Sequence, residues 1–366
     1  MNDDRAGEYR FASKVYQLTK PYEVREVIVE RELSAGEVAI KPLLGSVCHA
    51  DLRYFTGNRR PEMLARKLPM ALIHEGIGVV LESRSSSFNP GDHVVIVPNI
   101  PGYADLGEET VEAYVSKGPS LEDNYSTNGR FLASGTDGLA QSVLIMPALC
   151  VIRIPDEVPR EIAVLSELST VSHQAVSKVE ALMKDASIAI FGDGPVGYLT
   201  AALIHHLYHV GPDRLRVFGV VPEKLEQFDF ASTSNITSYN FAESERFDIA
   251  IECAGGKFSS DAINQAIDVL KPGGQLILLG VSEDLVPINT RDILEKGITV
   301  FGSSRSSFRD YPPVIEAMKD PAYQQTLRKL LPSEFVAVRS AQDFYEAMKH
   351  TSENPQWKKV VLEFEW

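Results

Sequence analysis

The sequence predicts an α/β chain in two parts, a mainly β region and a doubly wound parallel sheet. Three observations carry this reading. From Lys14 to about Arg153, short β-like runs are separated by Gly/Pro turns. Near Pro159 the rhythm changes to alternating strand and helix, the pattern of a parallel sheet covered on both faces. Within that second region stands Gly192-Asp193-Gly194-Pro195-Val196-Gly197, a G-x-G-x-x-G run.

Taken in order, roughly the first dozen residues read as a loose polar lead-in. Val38–Leu43, Gly76–Leu81 and His93–Val97 are short strand candidates. The second region offers strands at Ser187–Phe191, Leu215–Gly219, Asp248–Cys253, Gln275–Gly280 and Ile298–Phe301, with a helix over Ser260–Leu270. Lys271-Pro272-Gly273-Gly274 is a turn into a buried strand. After Gly302, about 60 residues remain, ending in Val360–Phe364, too few for an independent domain. They are expected to rejoin the N-terminal part. No internal repeat is present.

The glycine run follows the apolar Ser187–Phe191 and precedes the helix-like Tyr198–Ile204. Strand, glycine turn and helix in that order form a dinucleotide-binding fingerprint. Gly192 permits the tight turn, Gly194 lets the backbone approach a pyrophosphate, and Gly197 lets helix pack on strand. Pro195 and Val196 open the helix, whose N-terminal N–H groups face the phosphates. An acid about 20 residues on would hold the ribose 2′-hydroxyl of NAD, but that slot falls at or near Gly219. Lys224, just downstream, can face a 2′-phosphate, so NADPH is the favoured cofactor.

Composition narrows the setting. The chain has 366 residues, 44% apolar and 23% charged, an ordinary globular mixture. No apolar run approaches the ~18–20 residues of a membrane span. The start, Met1-Asn2-Asp3-Asp4-Arg5, lacks a signal pattern. Three cysteines do not make a disulfide framework, so a reducing cytoplasm is expected. A net charge of −14 argues against nucleic acid or an anionic membrane as partner. An anionic substrate would need a local basic cluster.

Four residues suggest a metal: Cys48, His74, Glu75 and Glu167. A thiolate, an imidazole and carboxylates suit a tetrahedral zinc site with an exchangeable position. Singly each is ordinary, since a lone Cys is usually a small buried hydrophobe. The case rests on their joint occurrence with the dinucleotide fingerprint. His205 and His209 have i,i+4 spacing but nothing supplies further ligands, so a structural or surface role is expected. No G-x-S-x-G elbow supports serine hydrolysis.

The order Cys48, Asp51, His74-Glu75-Gly76-Ile77-Gly78, then Gly192–Gly197, resembles the zinc-dependent medium-chain alcohol dehydrogenases. Asn89-Pro90-Gly91-Asp92-His93-Val94, Glu252-Cys253-Ala254-Gly255-Gly256 and Lys271–Gly274 match as well. The resemblance runs from about Lys14 to the end. It implies a GroES-like β-rich catalytic domain (1–160 and 303–366) interrupted by a Rossmann domain (161–302), with the active site between them. It also implies that Cys48, His74, Glu75 and Glu167 are the catalytic zinc set, and that Cys253 joins the cofactor-binding residues. Which of Glu75, Glu167 or a water completes the zinc shell stays open. No cysteine lies between Asn99 and Ala148, so a second, structural zinc is not expected. Ala50 stands where many relatives place a proton-relaying hydroxyl.

Within that family, Ala50–Gly57, Lys67–Gly76, Glu167–Ser172, Leu279–Glu283 and Gly302–Ser306 resemble the ribulose-5-phosphate reductases of teichoic acid and capsule synthesis. The resemblance implies zinc-assisted, NADPH-dependent reduction of ribulose 5-phosphate to ribitol 5-phosphate. It further implies a homo-oligomer, and a cytidylyltransferase as the next enzyme and a partner. The phosphate needs cations, and Arg53, Arg59, Arg60, Lys67, Arg305 and Arg309 are candidates. Lys67 and Arg305 rank first, with Arg53, because they lie in these matching stretches. Two alternatives stand beside this reading: an NAD-dependent zinc dehydrogenase for an unphosphorylated polyol such as sorbitol or ribitol, and a non-catalytic NADPH-binding regulatory protein.

Overall fold

The computed structural model describes residues 9–241 and 245–366. The chain folds as two units. One holds the residues up to Glu167, with Ser306–Lys319 and Leu331–Trp366; the other holds Leu168–Arg305 and Asp320–Leu330.

The first unit is mainly β. Its seven-stranded sheet runs Val151–Arg153, His93–Ile96, Glu75–Ser83, Glu37–Ser46, Val361–Phe364 and Val336–Val338, with Leu144–Pro147 also paired to Glu37–Ser46. Pro42 has no N–H to give a ladder, and the register shifts between Pro42 and Leu44. Of the segment after Gly302, residues 303–305 and Asp320–Leu330 belong to the second unit, while Val361–Phe364 pairs antiparallel with the central strand here and Trp366 Nε1 donates to Pro42 O at 2.9 Å. A hairpin of Arg10–Lys20 and Glu23–Glu32 adds a three-stranded sheet with Met70–Ala71. Its first strand starts at Arg10, so residues 10–12 are strand rather than lead-in, because Tyr16 and Leu18 are fully buried and hold the whole segment down. The rest of that lead-in, residues 1–8, lies outside the described residues.

The second unit is a six-stranded parallel sheet in the order Ser232–Asn235, Leu215–Gly219, Ile188–Phe191, Phe247–Glu252, Leu270–Leu278, Thr299–Gly302. Numbered along the unit this is 3-2-1-4-5-6, the doubly wound dinucleotide-binding order. Ile188–Phe191 is buried throughout, as a central parallel strand must be. Ser232–Asn235 escaped the sequence reading because an edge strand of Ser-Thr-Ser-Asn carries no apolar pattern. Lys271–Gly274 forms no separate turn. It is an irregularity within Leu270–Leu278, where the pairing jumps from Phe247/Leu270 to Ile249/Gln275. Helix Ser259–Val269 covers this part of the sheet with Ala262, Ile263, Ala266 and Ile267. Helix Pro321–Arg328 belongs here too: Tyr198 Oη donates to Thr326 O at 2.9 Å, and His206 stacks on Tyr323 at 4.8 Å.

Candidate metal centre and dinucleotide turn

The central strand of the first unit ends at Ser46, which pairs with Glu75 on one side and Val361 on the other. Cys48 follows two residues later, and Val47 N donates to Val360 O at 2.9 Å. Three chain segments distant in sequence therefore meet at one end of the sheet. There the ligand atoms of Cys48, His74 and Glu75 all lie within 4.8 Å of one another. Glu167, at the start of helix Ser166–Val176, stands outside this trio but within electrostatic range of His74 and Glu75.

Asp51 organises the trio. It is 1% exposed, and each oxygen holds a different segment. Oδ2 accepts from Cys48 N at 3.1 Å, while Oδ1 accepts from Ile73 N at 3.0 Å and lies 3.3 Å from His74 Nδ1. A carboxylate on the outer nitrogen of a metal-binding imidazole fixes the ring's tautomer and orientation. Ile73 sits at φ 70°, a left-handed conformation costly for a β-branched residue. The Asp51 bond and Leu139 N donating to Ile73 O at 2.7 Å hold it there, which aims His74 and Glu75.

Lys359 was not anticipated from sequence. Its side chain is 6% exposed and its Nζ is 2.8 Å from Glu75 Oε2. This buried ion pair occupies Oε2, while Oε1 has no hydrogen-bond partner among the described residues. Protonation follows the crowding of charge. Burial raises the Cys48 thiol and Glu75 adds to it. Burial opposes an imidazolium at His74, but Asp51 and Cys48 outweigh it and raise His74 well above its ordinary value. Burial pushes Glu167 up to about 7, with Glu75 adding and His74 opposing. A buried carboxylate with one oxygen unpartnered, beside a thiol and an oriented imidazole, is a donor set that a divalent cation satisfies. Thiolate, imidazole and carboxylate together suit zinc better than magnesium or calcium. The group fits.

In the second unit the three motif glycines meet three different constraints. Gly192 has φ 137° and a Cβ there would press on the Cys253 carbonyl carbon at 3.0 Å. A Cβ on Gly194 would meet nothing within 4 Å among the described residues, leaving that side of the backbone open to a ligand. A Cβ on Gly197 would collide with the Gly192 carbonyl oxygen. Helix Pro195–Tyr208 starts at Gly194 with Pro195 in its first turn, and Val196 O accepts from Thr200 Oγ1. Cys253, buried, lies against Gly192 with its thiol 3.9 Å from Thr200 Oγ1. Glu252 takes N–H groups from Gly255 at 2.8 Å and Gly280 at 3.0 Å, bracing the loops at the carboxyl ends of two strands. That is the edge at which this fold binds ligands.

Leu215–Gly219 ends at Gly219, so no carboxylate follows from that strand end. Asp193 fills the space instead: its Oδ2 accepts from Val220 N and Val221 N at 2.8 and 2.9 Å, and a Cβ on Gly219 would come within 2.7 Å of it. Lys224 Nζ lies 3.7 Å from Asp193 Oδ1, too long for a strong pair. Of the substrate candidates, Lys67 ends helix Pro61–Lys67 and Arg53 lies in helix His49–Phe55, both half-buried in the first unit. Arg305 is exposed in the second unit at φ 61°. Arg309 is committed to structure, with Asp123 at 2.7 Å and the carbonyls of Val115 and Gly118 at 3.0 Å. His205 is likewise spent, bonding through Nδ1 to Val210 O.

Comparison with known proteins agrees with this architecture. Residues 34–156 match the alcohol dehydrogenase GroES-like domain and residues 223–320 the zinc-binding dehydrogenase family. Ribulose-5-phosphate reductase 1 of Staphylococcus aureus is 36% identical, the match covering 96% of this chain and 99% of the relative. The ribulose-5-phosphate reductase of Streptococcus pneumoniae is 33% identical over 98% of each. The crystal structure of S. aureus TarJ in complex with NADPH is similar at a TM-score of 0.80 and 33% identity, over 97% of this chain and 100% of that one. With a GroES-like region, a doubly wound sheet and relatives matched end to end, the chain belongs to the ribulose-5-phosphate reductases of the zinc-binding alcohol dehydrogenase family.

Proposed function

We propose that this protein reduces D-ribulose 5-phosphate to D-ribitol 5-phosphate with NADPH and a zinc ion. The observation that carries the reading is the convergence of Cys48, His74 and Glu75 around Asp51, in a chain that also holds a complete dinucleotide turn. Cys48, His74 and Glu75 would hold the zinc, and Glu167, which interacts electrostatically with His74 and Glu75, is the further candidate for the shell. When bound, zinc supplies Lewis acidity at the ketone oxygen and NADPH supplies the hydride. Asp51 keeps His74 in the tautomer that leaves Nε2 for the metal. Lys359 balances the charge that Glu75 brings into a buried site.

Gly194 and the N-terminus of helix Pro195–Tyr208 receive the pyrophosphate. Gly192, Pro195, Val196, Gly197 and Cys253 shape that turn, and Lys224 leaves its long contact with Asp193 to meet the 2′-phosphate. Lys67, Arg53 and Arg305 are assigned to the substrate. We also place the protein in the cytoplasm, in keeping with three free thiols, and no described helix is long and apolar enough to cross a membrane. A homo-oligomer is supported by the position of Thr299–Gly302 at the edge of the sheet and by Leu285 and Leu294, 101% and 80% exposed. A cytidylyltransferase acting on the product is the expected partner.

The test is a matrix of NADPH and NADH against D-ribulose 5-phosphate, D-ribulose, sorbitol and ribitol. The proposal expects NADPH with the phosphorylated ketose to be fastest. Preferred turnover of NAD⁺ with an unphosphorylated polyol would replace it with the polyol dehydrogenase reading.

A further inference from the structure

A second cluster in the first unit has no part in holding metal or cofactor. Tyr54 is 2% exposed, yet its hydroxyl is 3.3 Å from Ser134 Oγ, and Lys67 Nζ donates to that same Ser134 Oγ at 2.6 Å. The Arg59 guanidinium lies over the Tyr54 ring, 4.5 Å from its centroid, and Lys67 Nζ is 5.7 Å from it. Among the described residues Lys67 meets hydroxyls and an aromatic face, and no carboxylate pairs with it. The turn that presents Ser134 is itself held in an uncommon shape. Ala133 has φ 55° and Gly135 φ 92°, with Gly135 N donating to Met70 Sδ at 3.0 Å. Left-handed alanine is costly and is kept where the surroundings enforce it.

The local field is positive in a chain of net charge −14. Burial alone would raise the Tyr54 phenol, but bonding to Ser134 and Lys67 and the charges of Lys67 and Arg59 bring it below its ordinary value. Helix His49–Phe55 sets the spacing. It starts beside Cys48 and rises about 1.5 Å per residue, so Tyr54 stands about 9 Å along it from Cys48. That distance is of the order of the reach from the carbonyl to the phosphate of an extended pentulose 5-phosphate.

We infer that Lys67, Ser134, Tyr54 and Arg59 form the cradle for the substrate's phosphate monoester, and so select a sugar phosphate over the free sugar. This rests on the reading of the trio as the reacting end. Lys67 and Ser134 contribute donors on one side, the Tyr54 hydroxyl a third, and the Arg59 guanidinium over the Tyr54 ring adds a second positive charge.

The experiment has two readouts on the zinc-loaded protein. Calorimetric titration of the NADPH-bound protein with inorganic phosphate is expected to show binding weakened about tenfold in Lys67→Met and largely restored in Lys67→Arg. Steady-state assays are expected to show KM for ribulose 5-phosphate rising by at least a similar factor in Lys67→Met and, less, in Tyr54→Phe, so that preference over D-ribulose collapses. Retained zinc and NADPH binding would show that both variants are folded. Equal phosphate binding and equal KM in wild type and both variants would overturn the cradle. An enzyme that does not reduce ribulose 5-phosphate would overturn the functional reading, while phosphate binding lost in Lys67→Met would still support the cradle.

Discussion

The metal centre and the glycine turn are built on opposite principles. At the first, function depends on what the side chains carry. Cys48, Glu75 and Lys359 reach one point from three strands or their ends, and every one is ionisable and largely buried. At the second, function depends on what the side chains lack. Gly192, Gly194 and Gly197 work because a Cβ would meet the Cys253 backbone, the space left for a ligand, or the Gly192 carbonyl. The contrast teaches where each site is fragile. A convergent site loses its chemistry when one group changes but keeps its fold, because the strands that gather it are held by other bonds. A backbone site loses its fold or its ligand when an atom is added.

Cys48→Ala and His74→Ala break the comparison hardest. Each is expected to lose zinc and at least about 10³-fold in kcat/KM, while NADPH binding by fluorescence stays near wild type. Loss of both ligands together would show the two sites to be one unit of stability. Gly194→Ala and Gly197→Ala come next and divide the turn itself. Gly194→Ala meets open space, so Tm should hold while NADPH affinity falls by about tenfold or more. Gly197→Ala drives a methyl into the Gly192 carbonyl, so Tm itself should fall; equal thermal behaviour of the two would contradict the assigned roles.

Asp51→Asn is smaller in effect. It keeps the volume but weakens the charge on His74 Nδ1 and can mispair with Ile73 N, so zinc affinity by chelator competition should drop about 10–100-fold. Unchanged affinity would reduce Asp51 to a helix cap.

Much of this was legible in the sequence, for a physical reason. The dinucleotide turn is contiguous, so its strand, glycines and helix announce one another over a dozen or so positions. The metal trio was legible as residue types, with His74-Glu75 adjacent and Cys48 followed by Asp51. Asp51 appeared in that pattern, but its role needed coordinates, since one carboxylate serves Cys48 N, Ile73 N and His74 at once. Lys359 gave no signal: it meets Glu75 only because Val361–Phe364 lies beside the end of the strand that also pairs Glu75. Ser232–Asn235 was silent because an edge strand need not be apolar. The attachment of Asp320–Leu330 to the second unit was silent because it rests on Tyr198 and His206 reaching Thr326 and Tyr323 from a helix far upstream.

The smallest expected effect concerns that attachment. Burial first, and His205 second, lower His206 to about 4 from 6.5. The folded value lies below the unfolded one, so the unfolded chain binds more protons between them. Stability from this group is complete above about 6.5 and is lost as pH falls towards 4. Tm should therefore decline more steeply over that window in wild type than in His206→Gln, and parallel curves would remove His206 from the account.

The most direct test of the central claim is reconstitution. The enzyme is stripped with a chelator, zinc is returned in measured steps, and bound metal and NADPH oxidation with D-ribulose 5-phosphate are followed together. The account predicts activity rising in proportion to zinc up to one ion per chain in wild type, with no zinc retained by Cys48→Ala. Full activity in the stripped enzyme, or tight zinc in Cys48→Ala, would contradict it.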